Sequence, residues 1–205
     1  MIFHFPIYNG NYFLNLIMII KTYADIVTPK LLKGAIENNG HTGFLWDFHV
    51  LHCLLRIHKP KSFFEIGTNV GDGVKIIKNA LGDKSVVYSL DLPKELAHIS
   101  RQHPINEGKG DSVGINCDLP YIQLWGNSLV FDFSQYPCEG YFVDAEHTYE
   151  NVSHETQEIL RESPKIVIYH DTDEPEVLRG ILDSMTSEYE LIGVIDTRMS
   201  YLLRK

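Results

Sequence analysis

Positive charge is scarce in this chain: 18 lysines and arginines stand against 27 aspartates and glutamates, for a formal charge of −9. Such a surface repels a polyanion on average, and no local basic stripe offsets it, so nucleic acid is not expected as a partner. Cysteine is scarce as well. Cys53, Cys117 and Cys138 are odd in number and far apart. Their spacing describes neither a zinc knuckle nor a redox dithiol, and reduced, buried thiols of a cytoplasmic protein are the reading they support. Long apolar runs are missing. The run Phe13 to Ile20 is broken by Asn15 and falls short of the ~20 residues that span a bilayer. It also lacks the basic flank and small-residue cleavage site of a secretory signal, so neither a membrane anchor nor export is expected. A core or interface element, or an irregular amino-terminal extension, suits it better.

With 205 residues and 44% hydrophobic content the chain can bury one sizeable core, and no shift in composition marks a second one. We divide it into an amino-terminal extension, residues 1–42, and one domain, residues 43–205. Apolar residues three and four apart predict a helix from Gly43 to His58, ended by Pro60. Thereafter strand and helix patterns alternate. Strands are expected at Ser62–Ile66, Val86–Asp91, Ile122–Trp125, Gly140–Asp144, Lys165–His170, Leu191–Asp196 and Met199–Leu203. Helices are expected after Gly73, at Lys94–His103, at Tyr149–Arg161 and at Glu176–Ser187. Alternation of this kind predicts a doubly wound α/β fold, Rossmann-like, with a seven-stranded and mostly parallel sheet. Only Thr197-Arg198 separates the last two strands, too little for a crossover helix, so they should form an antiparallel hairpin at the sheet edge. The segment Pro104 to Pro120, rich in Gly, Asn and Asp, reads as a long loop of the kind that serves as a lid.

Between the first expected strand of the domain and its helix lies Glu65-Ile66-Gly67-Thr68-Asn69-Val70-Gly71-Asp72-Gly73. A glycine-rich turn in this position lets the backbone approach a ligand closely. The spacing differs from the dinucleotide fingerprint Gly-x-Gly-x-x-Gly. Asp72 at the helix entrance opposes a pyrophosphate, because two negative groups would then share one helix N-terminus. A cofactor carrying a cationic sulfonium and an amino group fits better. Asp91 ends the next strand, where a carboxylate accepts hydrogen bonds from ribose hydroxyls; its structural alternative is to cap the Lys94 helix.

This order of residues resembles the class I S-adenosylmethionine-dependent methyltransferases, over Pro60 to the end of the chain. The resemblance assigns the loop, including Thr68, Asn69, Gly71 and Gly73, to the cofactor. It implies that Glu65 and Gly67 line its methionine end, that Asp91 holds its ribose, and that Asn127 and Ser128 reach its adenine. Asn127 departs from the acidic residue expected there.

The strands ending at Asp144 and His170 finish at the same crevice, so Asp144, His147, His170 and Asp171 can converge beside the cofactor. Two carboxylates with imidazoles suit a divalent ion, Mg²⁺ or Mn²⁺, for which Asp144, His170 and Asp171 are the expected ligands. Methyl transfer to a hydroxyl also needs a base. His147, three residues beyond Asp144 on the first turn of the next helix, is the expected one, with Asp144 as its catalytic partner and a further cofactor contact. The pattern is similar to metal-dependent O-methyltransferases of sugars and natural products, from which His170 departs. It implies a small-molecule acceptor such as a sugar, polyketide or phenol. A homodimer through the apolar run Tyr12 to Ile20 is a further expectation. Two alternatives stand beside this reading, a nicotinamide-type oxidoreductase and a protein that keeps the fold and the cofactor without turnover.

Overall fold

The computed structural model describes residues 2–9, 12–33, 35, 45–100 and 112–205, with side chains from residue 18 onward. Its strands are β1 (Ile2–Asn9), β2 (Tyr12–Thr22), β3 (Ser62–Ile66), β4 (Val86–Asp91), β5 (Ile122–Trp125), β6 (Gly140–Val143), β7 (Ile166–Tyr169), β8 (Tyr189–Ile195) and β9 (Ser200–Arg204). They form one nine-stranded sheet in the order β1-β2-β8-β9-β7-β6-β3-β4-β5. Strands β5, β4, β3, β6 and β7 run parallel, and β9 is antiparallel to both β7 and β8. The helices are α1 (Tyr23–Ile26), α2 (Pro29–Leu32), α3 (Leu45–His58), α4 (Asp72–Leu81), α5 (Tyr149–Arg161) and α6 (Pro175–Ser184).

Period-two alternation explains how both faces of the sheet are covered. Phe63, Ile166 and Ile168 point to the layer that holds Val50, Leu54, Val74 and Ile77 from α3 and α4. Their neighbours Phe64, Val167 and Tyr169 point to the layer that holds Val152, Ile159, Val177 and Ile181 from α5 and α6. Each such side chain, once fully buried, contributes about 1.5–3 kcal/mol, which is why strands of four or five apolar residues hold their register.

Two expectations about the sheet need correction. Among the described residues it has nine strands rather than seven, because residues 2–9 and 12–22 form the antiparallel pair β1–β2 and β2 pairs in parallel with β8. The β8–β9 hairpin is antiparallel as expected, but it lies inside the sheet: β2 satisfies the open side of β8, and β1 takes the edge. In place of a regular helix from Lys94, a 3₁₀ helix spans Lys94–Ile99 behind Pro93, and Ser100 is already extended. The rest of that expected helix, residues 104–111 of the expected lid, and the boundary between residues 42 and 43 lie outside the described residues. Among the described residues, no helix is long and apolar enough to cross a membrane.

The chain leaves β3 for β4 and β5 on one side and returns for β6 and β7 on the other, so the strand order reverses between β3 and β6. A crevice opens at that switch point, beyond the carboxyl ends of the strands.

Candidate active site

At the end of β3 the backbone turns sharply. Gly67 has φ +99 and donates its N–H to Leu90 O at 2.8 Å, while Asp144 N donates to Ile66 O at 2.9 Å. A Cβ on Gly67 would lie 2.1 Å from Asp144 O, so only glycine lets β3 and β6 close together here. Gly71, at φ +94, precedes α4, and Asp72 opens that helix while accepting from Asn116 Nδ2 at 2.9 Å. The described part of the expected lid is stitched to the loop: Gly114 N donates to Asn69 O and Asn116 N to Val70 O, each at 2.8 Å.

Beneath the loop runs a buried polar chain. Ser89 Oγ donates to Glu65 Oε2, Thr68 Oγ1 lies 2.7 Å from Ser89 Oγ, and Gln123 Nε2 donates to Thr68 Oγ1 at 3.0 Å. Burial holds the Glu65 carboxyl well above the usual range, with nearby Asp144, Asp91 and Asp72 adding to the effect. A Cβ on Gly73 would come within 2.2 Å of Glu65 Oε1, which explains the glycine two residues into the helix region. Asp91 joins loop and strand, accepting from Asn69 N and from Leu92 N at 2.7 Å each. Pro93, not Asp91, precedes the 3₁₀ helix, so Asp91 is not its cap.

A cavity of about 500 Å³ opens above these elements, a size suited to a small organic ligand. Gly67, Asn69, Asp91, Asn127, Ser128 and Asp144 line it, with apolar walls from Leu92, Ala97 and Leu129. The charged side chains in its lining are all acidic: Asp91, Asp144, Glu146, Glu150 and Glu176. A cation is therefore favoured there and a phosphate is not. Asn127 Oδ1 accepts from Leu129 N at 3.0 Å, which leaves its amide N–H as what it can offer a ligand. Of the loop residues expected at the cofactor, Glu65, Thr68, Gly71 and Gly73 do not line the cavity and act from behind by shaping the turn. Ser89 and Gln123, which complete that support, are read from the sequence only as ordinary strand residues.

Asp144 also belongs to a second, charged cluster. Thr148, rather than Asp144, caps α5: its Oγ1 accepts from Asn151 N at 3.1 Å. His147 Nε2 lies 3.1 Å from Asp171 Oδ2 and 3.8 Å from Asp144 Oδ1, and its Nδ1 lies 3.5 Å from Glu174. Burial works against a charged His147 ring, but Asp144, Asp171 and Glu174 outweigh it, and its pKa stands above the ordinary value. Burial likewise disfavours ionised Asp144, yet His170 and His147 bring its pKa down to about 2. His170 Nδ1 faces Asp171 Oδ2 at 2.8 Å and Asp144 Oδ1 at 3.2 Å, and its Nε2 faces Asp47 Oδ2 at 3.0 Å. Asp47, from α3, and Arg198, from the β8–β9 turn, are members of this cluster that sequence reasoning missed. Arg198 Nη1 pairs with Asp171 Oδ1, and its Nε and backbone N reach Asp47 at 3.2 and 3.0 Å.

Asp144, His147 and Asp171 offer ligand atoms within 4.8 Å of one another, a spacing that one ion can bridge. This group holds His147; His170, the imidazole expected as a ligand, lies deeper, with its Nδ1 on Asp171 and Asp144 and its Nε2 on Asp47. The chemistry of the donor set nevertheless fits a resident ion poorly. Both oxygens of Asp171 already face Arg198, His170 and His147, and Asp144 Oδ1 faces His170.

No protein-family model matches the sequence, and no curated protein matches it. Solved structures do match the fold. The O-methyltransferase TomG of Streptomyces achromogenes, involved in tomaymycin synthesis and solved with S-adenosylmethionine, is 15% identical, with a TM-score of 0.55 over 87% of this chain and 90% of that one. A Podospora anserina methyltransferase solved with S-adenosylhomocysteine is 14% identical, with a TM-score of 0.55 over 78% and 79%. A Bacillus cereus O-methyltransferase, in complex with the same product, is 15% identical, with a TM-score of 0.51 over 85% of each chain. The protein therefore has the Rossmann-like fold of these methyltransferases.

Proposed function

We propose that this chain is a methyltransferase that binds S-adenosylmethionine in the cavity at the switch point and methylates a hydroxyl of a small molecule. The observation that carries the reading is the cavity itself, built on Gly67 and Asp91 and charged only by carboxylates. A ligand with a sulfonium and an ammonium group is attracted by that lining, whereas a dinucleotide would set its pyrophosphate against it. In this reading Asp91 accepts from the ribose hydroxyls, Asn127 and Ser128 meet the adenine ring, and Leu92, Ala97 and Leu129 cover its faces. The similar structures solved with this cofactor or its product support the choice of cofactor.

The bound cofactor supplies a methyl group on a positively charged sulfur that departs as a neutral thioether. The chain's own residues hold the acceptor in line and remove its proton. His147, in its neutral form, takes the proton from the acceptor hydroxyl as the new oxygen–carbon bond forms, and Asp144 and Asp171 stabilise the imidazolium that results. No step is routed through a metal ion. Residues 43–205 carry the catalytic domain in this proposal, and residues 1–42 extend it.

Calorimetric titration with S-adenosylmethionine, S-adenosylhomocysteine and NAD⁺ tests the reading. Wild type is expected to bind the first two and not the third. Asp91→Ala is expected to weaken that binding by about 10- to 100-fold, the effect of losing hydrogen bonds to a charged acceptor. Binding of NAD⁺ in preference to both, or binding of none, would overturn it.

A further inference from the structure

We infer that Arg198 and His170 occupy the place the sequence assigns to a divalent cation, so that the chain balances its carboxylate cluster internally and holds no resident metal there. Three carboxylates, Asp47 from α3, Asp144 beyond β6 and Asp171 beyond β7, converge at this point. The side chains of Asp47, His170 and Asp171 are only 5%, 7% and 7% exposed, so solvent screens them little. Carboxylates gathered in this way require positive charge among them. Arg198 supplies one that is permanent. Its guanidinium bridges Asp171 Oδ1 and Asp47 Oδ2, and its backbone N–H takes the remaining Asp47 oxygen at 3.0 Å.

His170 closes the other side. Its Nδ1 faces Asp171 and Asp144, so it carries a proton in any arrangement that satisfies them. Its Nε2 lies 3.0 Å from both Asp47 Oδ2 and Arg198 Nη2. Either Nε2 is protonated and donates to Asp47, or it is bare and accepts from Arg198. In both cases neither ring nitrogen has a lone pair left for a metal. Asp171 itself sits at φ +52, a conformation that a non-glycine residue keeps only where its surroundings over-determine it. A metal entering between Asp144 and Asp171 would have to break contacts from Arg198, His170 and His147 together.

The inference deepens the methyl-transfer proposal, on which its catalytic meaning rests. Its test reads metal binding by the protein alone, so either can fail without the other. The full chain is titrated with Mn²⁺ by calorimetry and by the electron paramagnetic signal of free Mn²⁺, and melted with EDTA or with Mn²⁺. Wild type is expected to show no saturable Mn²⁺ binding and the same melting temperature in both solutions. Arg198→Met, which frees oxygens of Asp171 and Asp47, is expected to melt lower in EDTA and to regain stability with Mn²⁺. Arg198→Lys, which keeps the charge, is expected to remain indifferent to Mn²⁺. Saturable binding of Mn²⁺ by wild type, lost in Asp171→Asn, overturns the inference, as does an Arg198→Met protein that folds yet ignores Mn²⁺. Should Arg198→Met fail to fold, the wild-type titration alone decides the question.

Discussion

The two halves of the site are built by opposite means. On the cofactor side, backbone geometry does most of the work: Gly67 at φ +99, the Asn69 N–H on Asp91, and a chain of side chains from Gln123 through Thr68 and Ser89 to Glu65, which burial favours in its neutral form. On the side proposed for the acceptor the work is ionic, and Asp47, Asp144, His147, His170, Asp171 and Arg198 share one network of charges. Asp144 belongs to both, lining the cavity on one side and facing His147 and His170 on the other. The contrast teaches that a surface shaped by backbone tolerates changes of charge but not of volume. A surface held by charge tolerates changes of volume but not of protonation.

Substitutions sharpen that contrast in order of effect. Gly67→Ala should do the greatest damage, because its Cβ meets Asp144 O at 2.1 Å at a φ unsuited to alanine. The expected loss is on the order of 4 kcal/mol of stability together with loss of cofactor binding, measured by urea unfolding and calorimetry. His147→Gln conserves volume and removes the proposed base. It should lower kcat by about 10²-fold or more while leaving S-adenosylmethionine affinity within a small factor of wild type. Because neighbouring carboxylates raise the pKa of His147 above its ordinary value, the base form fills only at pH above that value. Turnover should therefore rise with pH through the raised pKa and level off beyond it, and the Gln variant should lose that rise.

The smallest effect concerns Glu155, buried behind the cavity on α5. Neither of its oxygens has a hydrogen-bond partner among the described residues. Ser128 lies near enough to ease its ionisation but not in hydrogen-bonding geometry, and burial raises its pKa to about 8. A group raised in the folded state stabilises fully below its ordinary pKa, and that contribution is lost as pH rises toward about 8. Glu155→Gln should flatten this decline and raise the free energy of unfolding most at alkaline pH, by a net amount on the order of 1 kcal/mol once the cost of burying an unpaired amide is set against it. A variant whose stability declines with pH as wild type does would show that another group is responsible.

How much of this the sequence discloses also differs between the halves. The cofactor loop is local, so Glu65, Gly67, Asp91 and the bounds of β3, β4, β5 and α5 can be read from short apolar runs punctuated by glycine. The charged cluster is not local: Asp47 and Arg198 meet across 151 residues, and only the β7-β9-β8 order of the sheet brings them together. One signal for Asp47 was present. It stands in register with Leu51 and Leu54 on the apolar stripe of α3, where a carboxylate needs a buried partner. Arg198 sits in the short turn between β8 and β9 and gives no such sign. The β1–β2 pair is equally hidden, since the apolar run before Ile20 acquires meaning only through pairing with β8.

The most direct test is a crystal structure of the protein soaked with S-adenosylhomocysteine. The expected density places the ribose hydroxyls on Asp91, the adenine by Asn127 and Ser128, and the sulfur on the side of Asp144. Density elsewhere on the molecule, or a cavity filled only by solvent at saturating ligand, would contradict the assignment of this crevice to methyl transfer.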